Sequence, residues 1–450
     1  MSPTSRYGHL SEVEKDALLD EQMGVIEWLH TRVKELEARL SKPKKTSSNS
    51  HQPPSSDGPG KPNRRKAKRR KRPSRPGVAR ALAADPDRTE RHHATGCPRC
   101  AAALPIEQQQ CRLRYDHIEL PPIRPVVTRV ELFGGTCPQC GRGCRAEPPA
   151  DKPLGTPFGQ TIQALLHYLH HSHHIGFERL ARLCREFFSL KISEGAIANA
   201  FRRAKPALEA ACAAIKEKLL RASVIASDET TARVDGVTRW HWVFIGDDAV
   251  LHQIAPRRAR SVAEDMLGDV RPEIWVSDRY VGQQNLAGKH QVCLAHLLRD
   301  VQYAIDCGDQ RFAPALRDLL RWSIRIGKRR NALADSTLAA YAAKAERRLD
   351  ALLRTPAAHP AGFTLQKQVK AWRGKFFLFL ADRRVPATNN ECEREIRPSV
   401  VHRNVAGGFR SDWGADNHAG YRSVTGTARI AGISHLDAVR HLLAGRFALA

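Results

Sequence analysis

Three carboxylates stand where the chain can aim them at one point. Asp228 follows the apolar run Val224-Ile225-Ala226, which reads as a buried strand with the charge at its exit. Asp278 ends a second such run, Pro272 to Ser277. Neighbouring strands that both end in aspartate place two carboxylates in one crevice, and oxygen-rich pairs of this kind hold magnesium or manganese. Aspartate also serves as an ordinary turn residue, so the pair alone equally suits two plain strand ends. A third stretch, Thr388 to Pro398, reads as a helix with an asparagine cap. At 3.6 residues per turn, Asn390, Glu393, Arg394 and Arg397 share a polar face, while Cys392, Ile396 and Ser399 or Val400 can turn inward. Glu391 and Glu395 turn away from Glu393 and read as exposed. One carboxylate flanked by an amide and two guanidinium groups suits a metal ligand beside phosphate-holding side chains. The alternative for such a helix is a solvated charged surface.

In order, Asp228-Glu229-Thr230, Asp278 with Tyr280 and Gly282, Cys293-Leu294-Ala295-His296, and Asn389 through Pro398 resemble the transposase of the insertion sequence 66 family. Ser47-Ser48-Asn49-Ser50 and Pro53 through Gly58 extend the resemblance to nearly the whole length. It implies a ribonuclease-H-like catalytic domain whose Asp-Asp-Glu triad is Asp228, Asp278 and Glu393, working with magnesium or manganese. It further implies cleavage at element ends to leave a 3′-hydroxyl, strand transfer into target DNA, and small accessory proteins from the same element. The chain departs from the family at Arg279, where glycine is expected, and at Gln283 or Gln284, where a second tyrosine is expected. Cys293 and His296 match the family's Cys-x-x-His pair. Two ligands fall short of a zinc site, so structural support or a DNA contact is the better reading.

The elements around these residues carry a strong charge. Lys and Arg number 73 against 47 Asp and Glu, a net charge of +26. Such an excess favours polyanions through counterion release, which makes DNA the expected partner. No apolar run approaches the ~20 residues of a membrane-spanning helix, and the first residues lack a signal-peptide core. The eleven cysteines include two Cys-x-x-Cys pairs, which favours metal binding in a reducing, cytoplasmic setting on the bacterial nucleoid.

Along the chain, residues 1–45 hold a helix with Leu19, Ile26, Val33 and Leu40 seven apart and Leu29 and Leu36 between. This is a short coiled-coil seam suited to a homodimer or higher oligomer. Residues 46–90 lose all periodicity and carry the basic run 61–75, with Arg69 and Arg70 at its centre. A segment of this composition cannot bury a core and reads as a disordered DNA-binding arm. In 91–150, Cys97, Cys100, Cys137 and Cys140 have the spacing of a closed tetrahedral zinc site, with a small β ribbon expected between the two pairs. Residues 151–220 read as helices resembling a helix-turn-helix, with a packing scaffold as the equal alternative. They include His167, His170, His171, His173 and His174, read as exposed or phosphate-contacting rather than metal-binding. Residues 221–450 hold three antiparallel strands, a short helix and two further strands, with a helical insertion at about 300–386 separating Asp278 from Glu393. The expected fold is therefore multidomain α/β. The expected function is that of a DNA transposase, with a non-cutting, zinc-containing DNA-binding regulator as the alternative. A nuclease acting on hybrids or junctions fits less well, because the DNA-binding front half is so large.

Overall fold

The computed structural model describes residues 11–40, 43, 45, 46, 49, 50 and 80–447. Arg69, Arg70 and the basic run at 61–75 lie outside the described residues. The chain divides into two units, one of Met1–Pro59, Val130–Leu180 and Ser193–Ala450, and a smaller one of Gly60–Arg129 and Ala181–Ile192.

The large unit is built on a mixed five-stranded sheet. β3 (Val224–Val234) and β4 (Val237–Ile245) are joined by Asp235 and Gly236, both with positive φ, 48° and 72°. That geometry matches the twist of a two-residue hairpin, and Asp-Gly supplies it at little steric cost. β5 (Val250–Ala255) adds the third antiparallel strand. The chain then crosses through α5 (Arg260–Leu267) to β6 (Ile274–Ser277), which runs parallel to β3, and on to β7 (Lys289–Val292), parallel to β6. The strand order is β5-β4-β3-β6-β7. The three antiparallel strands, the short helix and the two further strands expected from the sequence are all present.

Alternation along the central strands sends apolar residues to both faces, which is why these runs are apolar almost throughout. One face buries Val224, Ile274, Val276 and Val292 against α6 (Leu294–Asp306) and α7 (Phe312–Gly327). The expected insertion follows as α8 (Asp335–Arg354), α9 (Pro360–Ala371) and α10 (Leu378–Ala381), all sharing that core. The opposite face buries Ile225, Trp242, Phe244 and Trp275 against α4 (Glu194–Leu220) and α12 (Asp412–Ile430). Between the insertion and α12 runs α11 (Asn390–Ala406), which ends on Gly407 at φ 72°, a left-handed cap that glycine favours. The domain closes with α13 (His435–Leu443).

β5 is a sheet edge, and α12 covers it. Thr427 Oγ1 accepts from the Val250 amide at 3.0 Å, and Ser423 Oγ accepts from the His252 amide at 2.8 Å. Gly426 permits this approach, since a Cβ there would meet Val250 Cγ1 at 3.0 Å. A strand edge that would otherwise offer unpaired amides is thus closed by hydroxyls of the same chain.

Several expectations change. α4, the second helix of the pair read as a helix-turn-helix, buries Ala204, Leu208, Ala211, Ile215 and Leu219 in the sheet core. One face of it is therefore scaffold, as in the alternative reading. α2 (Gln160–His171) precedes it, with α3 (Phe177–Phe188) between. His167 and His171, four apart on α2, are buried at 1% exposure instead of lying at the surface. His171 Nε2 lies 3.1 Å from Asn417 Oδ1 and its Nδ1 lies 3.3 Å from His418 Nδ1; His418 Nε2 in turn meets Ser399 Oγ at 3.0 Å. His402 is also buried, its ring stacked on Phe409. Burial holds His167 and His402 down at about 3, and His171 and His418 well below the ordinary imidazole value, so the cluster is neutral.

Of the outlying pieces, α1 (Glu12–Leu40) is capped by Ser11: Ser11 Oγ accepts from the Glu14 amide, and Glu14 Oε2 accepts from the Ser11 amide at 2.8 Å. Leu19, Ile26, Leu29 and Val33 on it are all about half exposed or more. Asn49 and Ser50 are buried, and Asn49 Nδ2 donates to Asp306 Oδ2 at the end of α6. The expected β ribbon between the cysteine pairs is not formed. Residues 109–133 carry no strand, and Leu113, Tyr115 and Leu120 are each 78% exposed. Pro121, Pro122 and Pro125 remove three backbone donors from this stretch, which a ladder could not spare. Around the second cysteine pair, β1 (Gly134–Thr136) and β2 (Gly143–Arg145) form a short antiparallel ladder.

Candidate active site

The parallel register of β3 and β6 places the two aspartates. Ala226 pairs with Val276, and Asp228 and Asp278 each lie two residues further on. The ladder between β3 and β6 ends at that pair, and both strands carry their aspartates to the same end of the sheet just beyond it. The third carboxylate arrives on α11, whose N-cap residue is clipped to β3 and to the residue that follows β7. The Asn389 amide donates to Cys293 Sγ at 3.1 Å, and Asn389 Nδ2 donates to the Ser227 carbonyl at 2.8 Å. Asn389 stands at the N-cap, yet its side chain makes no cap bond. It ties the helix to the residue before Asp228 instead.

Glu393 is 26% exposed, and its Oε1 is a buried oxygen that accepts no hydrogen bond. His296 Nε2 lies 3.4 Å from it and Arg299 Nη2 3.7 Å, both on α6. The Cys-x-x-His pair thus has a role the sequence left open. Cys293 anchors the α11 amide and His296 faces the Glu393 carboxylate. Burial pushes the Cys293 thiol up to about 11, so it is a neutral acceptor rather than a thiolate ligand.

The remaining carboxylates crowd one another. Burial first, then the charges of Glu229 and Asp278, with Glu393 adding, raise Asp228 well above the carboxylate range. Asp278 Oδ1 accepts from the Tyr280 amide at 2.8 Å. Glu229, one residue past Asp228, points to the opposite sheet face, as strand alternation requires. There its side chain is fully buried, and burial with the Asp278 charge raises it to about 7. Arg258 Nε donates to Glu229 Oε1 at 2.7 Å, and Gln283 Nε2 to Oε2 at 2.5 Å. Sequence reasoning missed Glu229 and Arg258, because a neighbouring acid and a loop arginine carry no spacing signal.

The other residues singled out on α11 divide as helical periodicity requires, with one exception. Asn390, Arg394 and Arg397 are exposed beside Glu393, and Cys392 and Ile396 are buried. Glu395 is not exposed as expected. It is 4% accessible and accepts from Arg422 Nη2 at 2.9 Å and from Arg429 Nη2 at 2.8 Å. The two departures from the family pattern are both occupied: Arg279 pairs with Asp300 on α6, and Gln283 holds Glu229.

A cluster of hard oxygen donors that repel one another, with one carboxylate oxygen buried and unbonded, has the chemistry of a divalent-cation site. Among the described residues, no three His, Cys, Asp or Glu side chains are drawn together to full metal-ligand distance. Each cysteine pair, taken by itself, forms a tight turn. Amides of Arg99 and Cys100 lower the Cys97 thiol, and amides of Cys140 and Gln139 lower that of Cys137. Cys144 directs its Sγ to the Gly135 carbonyl.

No described helix is long and apolar enough to cross a membrane. No curated protein matches this sequence. Residues 4–85 match the model of a family of unknown function, DUF6444. Residues 155–417, more than half of the chain and the span that carries all three carboxylates, match the Asp-Asp-Glu domain model described as Transposase IS66 family. That match covers more than half of the sequence, and by it the chain belongs to the IS66 family of transposases.

Proposed function

We propose that this protein is an Asp-Asp-Glu DNA transposase that cuts the ends of an insertion element and joins them to target DNA. The observation that carries this reading is the match of residues 155–417 to the IS66 transposase model, a span that contains Asp228, Asp278 and Glu393. The domain is then ribonuclease-H-like in its strand order and in where its acids stand. Asp228, Asp278 and Glu393 are the residues that would hold magnesium or manganese, which in such sites stabilises charge on the attacking and leaving oxygens of an in-line displacement. The chain's own contribution is placement. Asn389 and Cys293 fix the helix that carries Glu393, and exposed Arg394, Arg397 and Asn390 offer donors to DNA phosphates beside it. The basic arm with Arg69 and Arg70 would supply sequence-independent affinity. Purified protein incubated with duplex DNA carrying the ends of its own element should yield 3′-hydroxyl cuts at the element boundary. The cuts should require magnesium and disappear with a chelator. Specific binding without cutting under these conditions would favour the regulator reading instead.

Two further assignments belong to this proposal. The thiolates of the two Cys-x-x-Cys turns take zinc, supported by the amides that lower Cys97 and Cys137 in each turn. The exposed Leu19, Ile26, Leu29 and Val33 form a seam for self-association through α1. Native mass spectrometry of the full chain reads both. About one zinc per chain is expected, with an even number of chains per particle. Cys97→Ser with Cys140→Ser should remove the metal. Equal zinc in wild type and double variant would refute the first assignment, and a monomeric particle the second.

A further inference from the structure

Arg258 lies in the loop between β5 and α5, at the rim of the carboxylate cluster, and its environment is unlike that of a surface arginine. Its guanidinium sits over the Tyr280 ring at 4.0 Å and near the Trp240 ring at 5.2 Å. Tyr280 in turn donates its hydroxyl to the Arg258 carbonyl at 2.6 Å, which fixes the loop. Nε and Nη2 are taken by Glu229 Oε1, at 2.7 and 2.5 Å, and Nη2 stands 3.9 Å from Asp278 Oδ2. Glu229 is held from its other oxygen by Gln283, whose Oε1 accepts from Trp275 Nε1 at 2.9 Å. The chain of contacts runs from a fully buried tryptophan through Gln283 and Glu229 to an arginine whose side chain is 35% exposed. Among the described residues, Nη1 has no acceptor.

This is more order than charge neutralisation needs. An arginine that merely offset Glu229 could be loose, or buried with it. Here two aromatic rings and a carboxylate that Gln283 holds in turn fix the plane of the fork, and Nη1 is left without an acceptor among the described residues. A planar guanidinium with a free edge matches a phosphodiester geometrically, and a site built on three carboxylates needs such a cation at its rim to admit a polyanion. We propose that Arg258 grips a DNA phosphodiester adjacent to the scissile one, and that Glu229 and Gln283 are positioning residues that hold its guanidinium there. The proposal rests on the transposase reading and adds to it a substrate contact outside the triad.

The test pairs variants with neutral phosphates. Duplexes carrying the element end are made with a single methylphosphonate at each position flanking the mapped cut, and cleavage is compared for wild type, Arg258→Ala, Arg258→Lys and Glu229→Gln, with melting to confirm folding. Removing a fixed charge-stabilising donor costs on the order of 10²-fold in rate, and Arg258→Ala should lose about that much. Arg258→Lys should recover little, because a point charge lacks the fork. Glu229→Gln should weaken cleavage less than Arg258→Ala and through the same phosphate. In wild type one neutral position should lower cleavage at least about tenfold, and in Arg258→Ala that same position should add almost nothing, since the partner is already gone. If every neutral position lowers cleavage by the same factor in Arg258→Ala as in wild type, Arg258 touches no phosphate and the inference is overturned while the transposase reading stands. If wild type does not cut any duplex, the transposase reading fails and this inference fails with it.

Discussion

Glu393→Gln is expected to abolish cleavage of element ends while leaving DNA binding in place. The substitution keeps size and removes the charge, so the loss should be ~10³-fold or more in rate, and Asp228→Asn and Asp278→Asn should match it. Combining two of them should add little, because groups that act as one site are grossly non-additive. The folded protein offers a second readout. The wild-type carboxylates repel one another, with Asp228 raised by burial, Glu229 and Asp278. A divalent cation that relieves this repulsion should raise the melting temperature, with a stabilisation of about 2.7 kcal/mol at a hundred times its dissociation constant. Manganese should stabilise wild type and leave Glu393→Gln nearly unmoved. If all three variants cut normally, the triad assignment is wrong. If they fail to cut but still gain stability from manganese, the cation is held elsewhere.

Two residues along the same helix, the expected result is a loss of stability rather than of chemistry. Glu395 and Arg422 have side chains 5% and 4% exposed, with Arg429 completing the pair and His252 Nε2 3.7 Å from the carboxylate. Burial alone would raise Glu395, but His252, Arg422 and Arg429 overcome it and bring it down to about 2. Removing one partner of a buried pair leaves an uncompensated charge, so Glu395→Gln should cost about 3–5 kcal/mol. Glu391→Gln, half exposed and 3.8 Å from Arg429, should change stability by less than about 0.5 kcal/mol. Denaturant titration of the two variants checks the contrast, and equal costs would refute the burial argument. The same region should make the fold acid-labile. The lowered value of Glu395 contributes stability that is full above about 4.5 and is lost as pH falls towards 2. The buried imidazoles, with His167 and His402 at about 3, impose no penalty above about 6.5 and an increasing one below it. Stability should therefore decline from about pH 6.5 downwards, opposed in part by relief of repulsion at Asp228 and Glu229. A melting temperature that is flat between pH 7 and 5 would contradict this.

By itself, the sequence determined the sheet strands, the helical insertion, the charge that points to DNA and the family. Strand alternation, an Asp-Gly turn and a run of ordered motifs are local signals that each segment carries within about ten residues. It also determined which face of α11 carries Glu393, because helical periodicity alone separates Asn390, Arg394 and Arg397 from Cys392 and Ile396. Periodicity could not say what the remaining face would meet. Glu395 looked like a third exposed acid, and only the packing of α12 supplied Arg422 and Arg429 to bury it. The histidines of α2 looked like surface residues for the same reason, until His418 and Asn417 closed over them. The tertiary structure likewise decided that β3 and β6 run side by side and carry their aspartates to the same end of the sheet, since their register depends on the crossover between them. It decided, too, that the acid beside Asp228 serves Arg258 and not the triad. A single residue's step along a strand reverses the side it faces, and what waits on that side comes from a loop 29 residues further along the chain.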